Sequence, residues 1–400
     1  MYPSLLSLWE IVIEDSISYD VEKLIHRLDW SRLALPMDAA GRALTRADER
    51  LRRSPDLADG IRARGHILDT CAAMWLDGDL VHIEDLVLHD AGADIRAPTH
   101  ELTLAARLLR LRRIVERQDH DWVFSRAGLL ALAGRAGQTR SSEDETPFTP
   151  EPADAILDDE ADETSREDDL LAEIDAIAER AQKLAESAVS AAGRSTVSNI
   201  GAVRQNDLDI LLRDPDHDET RLLNSWHRVV EDTRALPPVL GAAILLDAWL
   251  VLDPLERRTE LGRLIASAAL RKSMTPNHLP LVAVGLRQSK FRWRRSDPVQ
   301  TRLSMLLTGL EVGALETMEQ MNRLHFARER MMRQCQNCRR NSKLPQFVDL
   351  FVAHPFVSIP LARKKLKVTA AAVDRMLEQL GPALPRELTG RGRYRAWGVL

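Results

Sequence analysis

Between Glu143 and Asp169 the sequence carries 13 acidic residues and one basic residue, Arg166. The run also holds Pro147, Pro150 and Pro152 and few large apolar side chains. It has too little apolar surface to offset the entropy of ordering it, so residues 141–168 read as a disordered acidic linker. A segment that mimics DNA and competes for basic charge elsewhere is the rival reading. Either way, the run separates a stretch over 1–140 from a stretch over 169–400.

That run also hides the charge of the rest. It contributes −12 to a formal total of −5, which leaves +7 for the remainder of the chain. Residues 359–400 hold nine Lys/Arg against three Asp/Glu, and residues 321–344 hold seven against one. The basic charge therefore gathers towards the C-terminal end.

Outside the linker the periodicity is helical. Aromatic residues make up only 4% of the chain, while Ala, Leu and Arg are abundant. These three keep most of their freedom in a helix. Leu24, Ile25 and Leu28 share one face, as do Leu102, Leu104, Leu108, Leu109, Leu111, Ile114 and Val115. Residues 1–140 read as an N-terminal helical region. Past the linker, a long helix with a small-residue face is expected over Leu170–Ala192, ending at Gly193. Further helices are expected over Arg221–Thr233, Pro238–Val251, Leu255–Leu270, Pro280–Leu286 and Pro298–Arg340, with prolines between them.

The last 57 residues change character. An apolar helix, Leu344–Ala353, leads through an extended link, His354–Ser358, into two short helices, Ile359–Leu366 and Ala370–Leu380. Ser358 and Thr369 stand where N-caps belong, and Gly381-Pro382 ends the second helix. Two short helices joined by a three-residue turn make a helix-turn-helix. A hairpin follows, with strands in 386–389 and 394–399 around Gly390-Arg391-Gly392-Arg393. This is the pattern of a winged helix. Lys364, Lys365, Lys367 and Arg375 can neutralise phosphate charge, as can Arg391, Arg393 and Arg395 of the wing. Thr369 starts the second helix, and Arg375 and Gln379 on its exposed face are the candidates for base contacts. The expected partner is double-stranded DNA.

The order of segments from about Leu236 to Leu400 resembles the C-terminal half of bacterial Fic-family proteins with a winged-helix tail. Pro238 stands 15 residues before Asp253, the family's spacing between an early proline and its catalytic histidine. Asp253, Pro254 and Leu255 then correspond to the start of the family's active-site loop, and Gly262 and Arg263 to the helix that follows it. The resemblance implies nucleotide transfer to a hydroxyl. That reaction needs the histidine as base and a glycine-rich loop to cradle phosphates. Here Asp253 replaces the histidine, and Glu256-Arg257-Arg258-Thr259-Glu260-Leu261 contains no glycine. The expectation is a catalytically dead Fic-like body over 169–343, with no cofactor. More narrowly, the chain resembles a rhizobial-type group that pairs a domain of unknown function with a C-terminal helix-turn-helix.

Other motifs are weaker. Cys335-Gln336-Asn337-Cys338 is half of a zinc site, with only His325 near it, so no metal centre is expected. Asp214-Pro215-Asp216-His217-Asp218-Glu219 reads as a polar surface turn. His354-Pro355-Phe356 repeats three letters of the Fic loop without its glycines. Phe291-Arg292-Trp293-Arg294-Arg295 interleaves aromatics with arginines, a pattern of nucleic-acid contact or of a plain helix end. Three cysteines, no basic leader and no apolar run of about 20 residues point to a cytoplasmic protein.

The fold expected is therefore mostly α: a Fic-like helical body with a small C-terminal winged helix-turn-helix over 344–400. Homodimerisation through the body is a further expectation. A divergent nucleotidyl transferase using Asp253 and a protein-interaction adaptor are the alternatives.

Overall fold

The computed structural model describes residues 19–92, 97–134, 217–336, 338–339, 341–389 and 395–399. The acidic run, the expected helix over Leu170–Ala192, most of the 194–219 stretch and the wing-tip residues Arg391 and Arg393 lie outside them. Among the described residues the chain forms fourteen α-helices and one three-stranded sheet.

One unit contains the described residues up to Asp121 and from Asp218 onward. Its helices are α1 (Val21–Arg27), α2 (Trp30–Arg52), α3 (Pro55–Asp77), α4 (Ile83–Asp90) and α5 (His100–Arg117). After the break come α7 (Glu219–Thr233), α8 (Pro238–Leu252), α9 (Thr259–Ser273), α10 (Val282–Gln288) and α11 (Val299–Arg333). A second unit spans 122–217. Its described part is a single 3-10 turn, Trp122–Phe124, and α6 (Arg126–Leu132), capped by the Ser125 hydroxyl accepting from the Gly128 amide at 3.0 Å.

The first unit is organised around α11. This helix lies against α2 along most of its length and crosses α10 closely. The crossing requires glycine: a Cβ on Gly285 would sit 2.0 Å from the Gly309 carbonyl oxygen. Helix α8 is apolar on every side, and residues 239–249 are all buried, as expected for a helix enclosed by others. It packs on α7, where Trp226 and Trp249 meet edge to face with centroids 5.2 Å apart, and on α9.

Two helix boundaries differ from the sequence expectation by more than three residues. Helix α9 begins at Thr259 rather than Leu255. Asp253 and Arg257 both take left-handed backbone conformations, with φ of 46° and 60°, so the chain turns for six residues first. Helix α11 ends at Arg333 rather than Arg340, because residues 334–336 turn and carry Cys335 and Cys338 back onto the C-terminal core.

The C-terminal part matches its sequence pattern closely. Helices α12 (Leu344–Ala353), α13 (Ile359–Leu366) and α14 (Ala370–Leu380) fall where the periodicity places them. The link before α13 contains a strand not expected, β1 (Val357–Ser358). It pairs antiparallel with β3 (Ala396–Gly398), which also pairs with β2 (Arg386–Glu387), giving the order β1-β3-β2. The core beneath is built from Phe347, Phe351, Val357, Ala362, Leu366, Val373, Met376, Leu377, Leu380 and Trp397. Met331 of α11 is completely buried in the same cluster. Among the described residues no helix is long and apolar enough to cross a membrane.

Candidate nucleic-acid interface

The two short helices of the expected DNA reader, residues 344–400, are set by local chemistry. The Ser358 hydroxyl accepts from the Leu361 amide and the Thr369 hydroxyl from the Ala372 amide, each at 3.3 Å. Both caps satisfy donors that a helix start leaves open. Lys367 ends α13 in a left-handed conformation, φ 55°, with its amide bonded to the Arg363 carbonyl. That single residue turns the chain sharply enough for α14 to cross α13.

Helix α14 buries Val373, Met376, Leu377 and Leu380 and exposes Ala371, Asp374, Arg375, Glu378 and Gln379. Its opposite faces are thus an apolar stripe towards the core and a polar stripe towards solvent. Thr369 is exposed at its start. Arg363, Lys364, Lys365 and Lys367 crowd the end of α13 and the turn, all exposed. They have no ion-pair partner among the described residues. Of the cations nominated on the helix-turn-helix, Lys364, Lys365 and Lys367 are thus neighbours in the chain at the end of α13, and Arg375 lies on the exposed face of α14.

Arg395 is placed differently. Its guanidinium bonds the Glu387 carboxylate at 2.9 to 3.3 Å and lies 4.9 Å over the Trp397 ring. The Glu387 hydrogen bond holds its pKa above the ordinary arginine value. Arg395 thus stiffens the base of the wing. Arg386 pairs with Glu84 of α4 at 3.4 Å.

The residue that sequence reasoning missed is Arg64 of α3. It is 2% exposed. Its guanidinium donates to the carbonyls of Phe351, Val352 and His354 at 2.8, 2.8 and 2.9 Å, and to Val399 at 2.6 Å. One cation thus caps the end of α12 and fastens the chain beyond β3. Carbonyls at a helix C-terminus carry partial negative charge, which suits a cation. Burial pushes the guanidinium down to about 9. Close approach here depends on Gly60, where a Cβ would sit 2.0 Å from the Val352 carbonyl oxygen. No signal within one sequence links residues nearly 300 positions apart.

The residues aligned with a Fic loop have structural partners. The Asp253 carboxylate accepts from the Arg257 amide at 2.9 and 3.2 Å, which closes the turn after α8. Leu255 is buried, and Pro254 precedes it in the same turn. Gly262 lets α9 press on Trp249, and Arg263 is buried with Asp77 as its ion-pair partner. Asp253, Leu255, Gly262 and Arg263 thus each have a packing or hydrogen-bonding role within the body.

Cys335 and Cys338 lie half-buried against the reader's core. His325 pairs instead with Glu329 at 3.3 Å. Among the described residues no cluster of three metal-ligating side chains occurs.

Two segments of the chain match known families. Residues 211–336 match the family described as "Protein of unknown function (DUF1612)", and residues 344–400 match "HTH DNA binding domain". The central match is to a family of unknown function, and a Fic identity is not among the matches. The uncharacterized protein y4cF of Sinorhizobium fredii is 38% identical over 400 residues, covering 96% of this chain and 100% of the relative. A likeness at that identity over nearly the whole of both chains shows common membership: the chain belongs to the family of this rhizobial protein, with the DUF1612 segment followed by a C-terminal helix-turn-helix DNA-binding domain.

Proposed function

We propose that the chain is a transcriptional regulator that binds duplex DNA through residues 344–400. The observation that carries this reading is the outward face of α14 beside the unpartnered cations Arg363, Lys364, Lys365 and Lys367. Lysines and arginines on one edge can neutralise phosphates and release counterions, which supplies sequence-independent affinity. Arg375 and Gln379, exposed on that face, would read base edges: arginine fits guanine, and glutamine fits adenine. Arg391 and Arg393 of the wing would add backbone or minor-groove contacts.

The test is duplex binding by the full-length chain across a salt series. Binding should weaken steeply with salt, by about 0.9 logarithmic units per decade for each phosphate contacted. Arg375→Ala and Gln379→Ala should change the preference among sequences, whereas Lys364→Ala and Lys365→Ala should weaken all duplexes alike. Absence of binding at about 50 mM salt, where phosphate contacts are at their strongest, would remove the proposal.

A second reading, contact with a protein partner, draws on Asp374 and Glu378, which put two carboxylates on the exposed face of α14. Partner capture that survives DNase and is lost on charge reversal of these two residues would favour it.

A further inference from the structure

Between α10 and α11 the chain crosses the surface as Lys290-Phe291-Arg292-Trp293-Arg294-Arg295. Its residues alternate. Phe291 and Trp293 are half-buried, and Lys290, Arg292 and Arg294 are exposed. These three cations have no ion-pair partner among the described residues. In that respect they match the cations at the end of α13.

The loop is built rather than loose. The Trp293 indole donates to the Asp247 carboxylate at 2.9 Å. Asp247 is fully buried in α8, where it also accepts from Arg302 at 2.8 Å on each oxygen and from the Tyr19 hydroxyl at 2.9 Å. Arg302 in turn donates to the carbonyls of Arg295 and Asp297 at 3.2 and 2.7 Å. A buried acid and a buried base thus hold the middle and the far end of the loop. The outward cations are preset, so less ordering entropy opposes their contact with a ligand.

The loop leads directly into α11, which is 35 residues long, or about 50 Å. At the far end of that helix Met331 is buried in the reader's core. Loop and reader therefore sit at opposite ends of one helix. Duplex DNA rises about 3.4 Å per base pair, so about 15 base pairs span that distance.

We propose that Lys290, Arg292 and Arg294 form a second contact with the phosphate backbone of the same duplex, about 15 base pairs from the reader. The inference rests on the DNA-binding reading of residues 344–400 and deepens it. Alternating cations along a pinned loop suit a repeating polyanion better than a single small anion.

The experiment uses the full-length chain and duplexes of about 12 and 30 base pairs, chosen on either side of that span. The variants are Lys290→Ala/Arg292→Ala/Arg294→Ala for the loop and Lys364→Ala/Lys365→Ala/Lys367→Ala for the reader. A charge-keeping set, Lys290→Arg/Arg292→Lys/Arg294→Lys, controls for loop shape. The parent should bind the longer duplex with a steeper salt dependence. The loop variant should lose about 2–3 units of that slope on the longer duplex and nothing on the shorter, and the charge-keeping set should retain it. The inference is overturned if the loop variant matches the parent on the longer duplex while the reader variant is weakened. It is equally overturned if both lengths weaken together, or if the loop binds polyglutamate in preference to duplex. Failure of the parent to bind either duplex would instead remove the reading of the reader itself.

Discussion

Arg64, Arg112, Arg263 and Arg302 are buried, and each meets a partner inside the protein: backbone carbonyls for Arg64, Asp69 for Arg112, Asp77 for Arg263, Asp247 for Arg302. Arg363, Lys364, Lys365 and Lys367 are exposed and meet no carboxylate among the described residues. The buried arginines of the body and the cations at the end of α13 are thus used in opposite ways. Removing a charge from water is costly unless it is paired, so the body's arginines hold its helices in register. Arg363, Lys364, Lys365 and Lys367 make no such pair among the described residues. That difference separates charge used for folding from charge available to a polyanion.

The sharpest way to break the comparison is Arg64→Met. It leaves the carbonyls of Phe351, Val352, His354 and Val399 without this donor, and stability should fall by on the order of 3–5 kcal/mol. A shift in the urea midpoint measures it. Arg64→Lys should recover only part, because one ammonium cannot fork across four acceptors. An unchanged midpoint would mean that α3 and the reader are held together by apolar packing alone. Gly60→Ala attacks the same junction from the steric side and should cost about 1–3 kcal/mol.

Replacing Lys364, Lys365 and Lys367 together with Ala should leave stability within about 0.5 kcal/mol. Salt-dependent duplex affinity should nonetheless lose up to about 0.9 units of slope per lysine. A large stability loss would place these lysines with the buried set. Asp253→Ala should show the reverse, costing about 1 kcal/mol through the lost turn while duplex binding stays unchanged.

The smallest effect concerns acid. Burial holds His66 below its ordinary pKa of 6.5, although Glu116 sits 2.7 Å from its Nε2 and pulls the other way. Burial also raises the Glu116 carboxyl, but the His66 hydrogen bond together with the charges of His66, Arg62 and Arg112 outweighs it and leaves that carboxyl below its ordinary value of 4.5. The unfolded chain therefore takes up the histidine proton first. Stability should be level above pH 6.5 and decline as the pH drops through 6.5 towards the lower folded value of His66. Glu116 adds its own loss only below 4.5. Urea midpoints compared between about pH 5 and pH 7.5 should differ in the parent and converge in His66→Gln.

How far the sequence could be read follows from the range of each interaction. The caps at Ser358 and Thr369 act over three residues, so α13 and α14 were legible to the residue. The apolar stripe of α14 was legible for the same reason. Strand β1 was not, because two residues carry no alternation and its partner lies about 40 positions later. The late start of α9 was hidden by two left-handed residues, neither of them glycine. Charge counting found the reader's cations but could not tell Arg395, held by Glu387, from Lys364, held by nothing. Arg64 was invisible, since its acceptors become neighbours only through the fold.

The last turns of α11 have a practical corollary. Ala327, Met331, Met332, Cys335 and Cys338 all press on the apolar cluster beneath α13 and α14. A fragment cut at Leu344 would lose that support. Swapping this head onto another protein would require grafting the preceding helical segment with it.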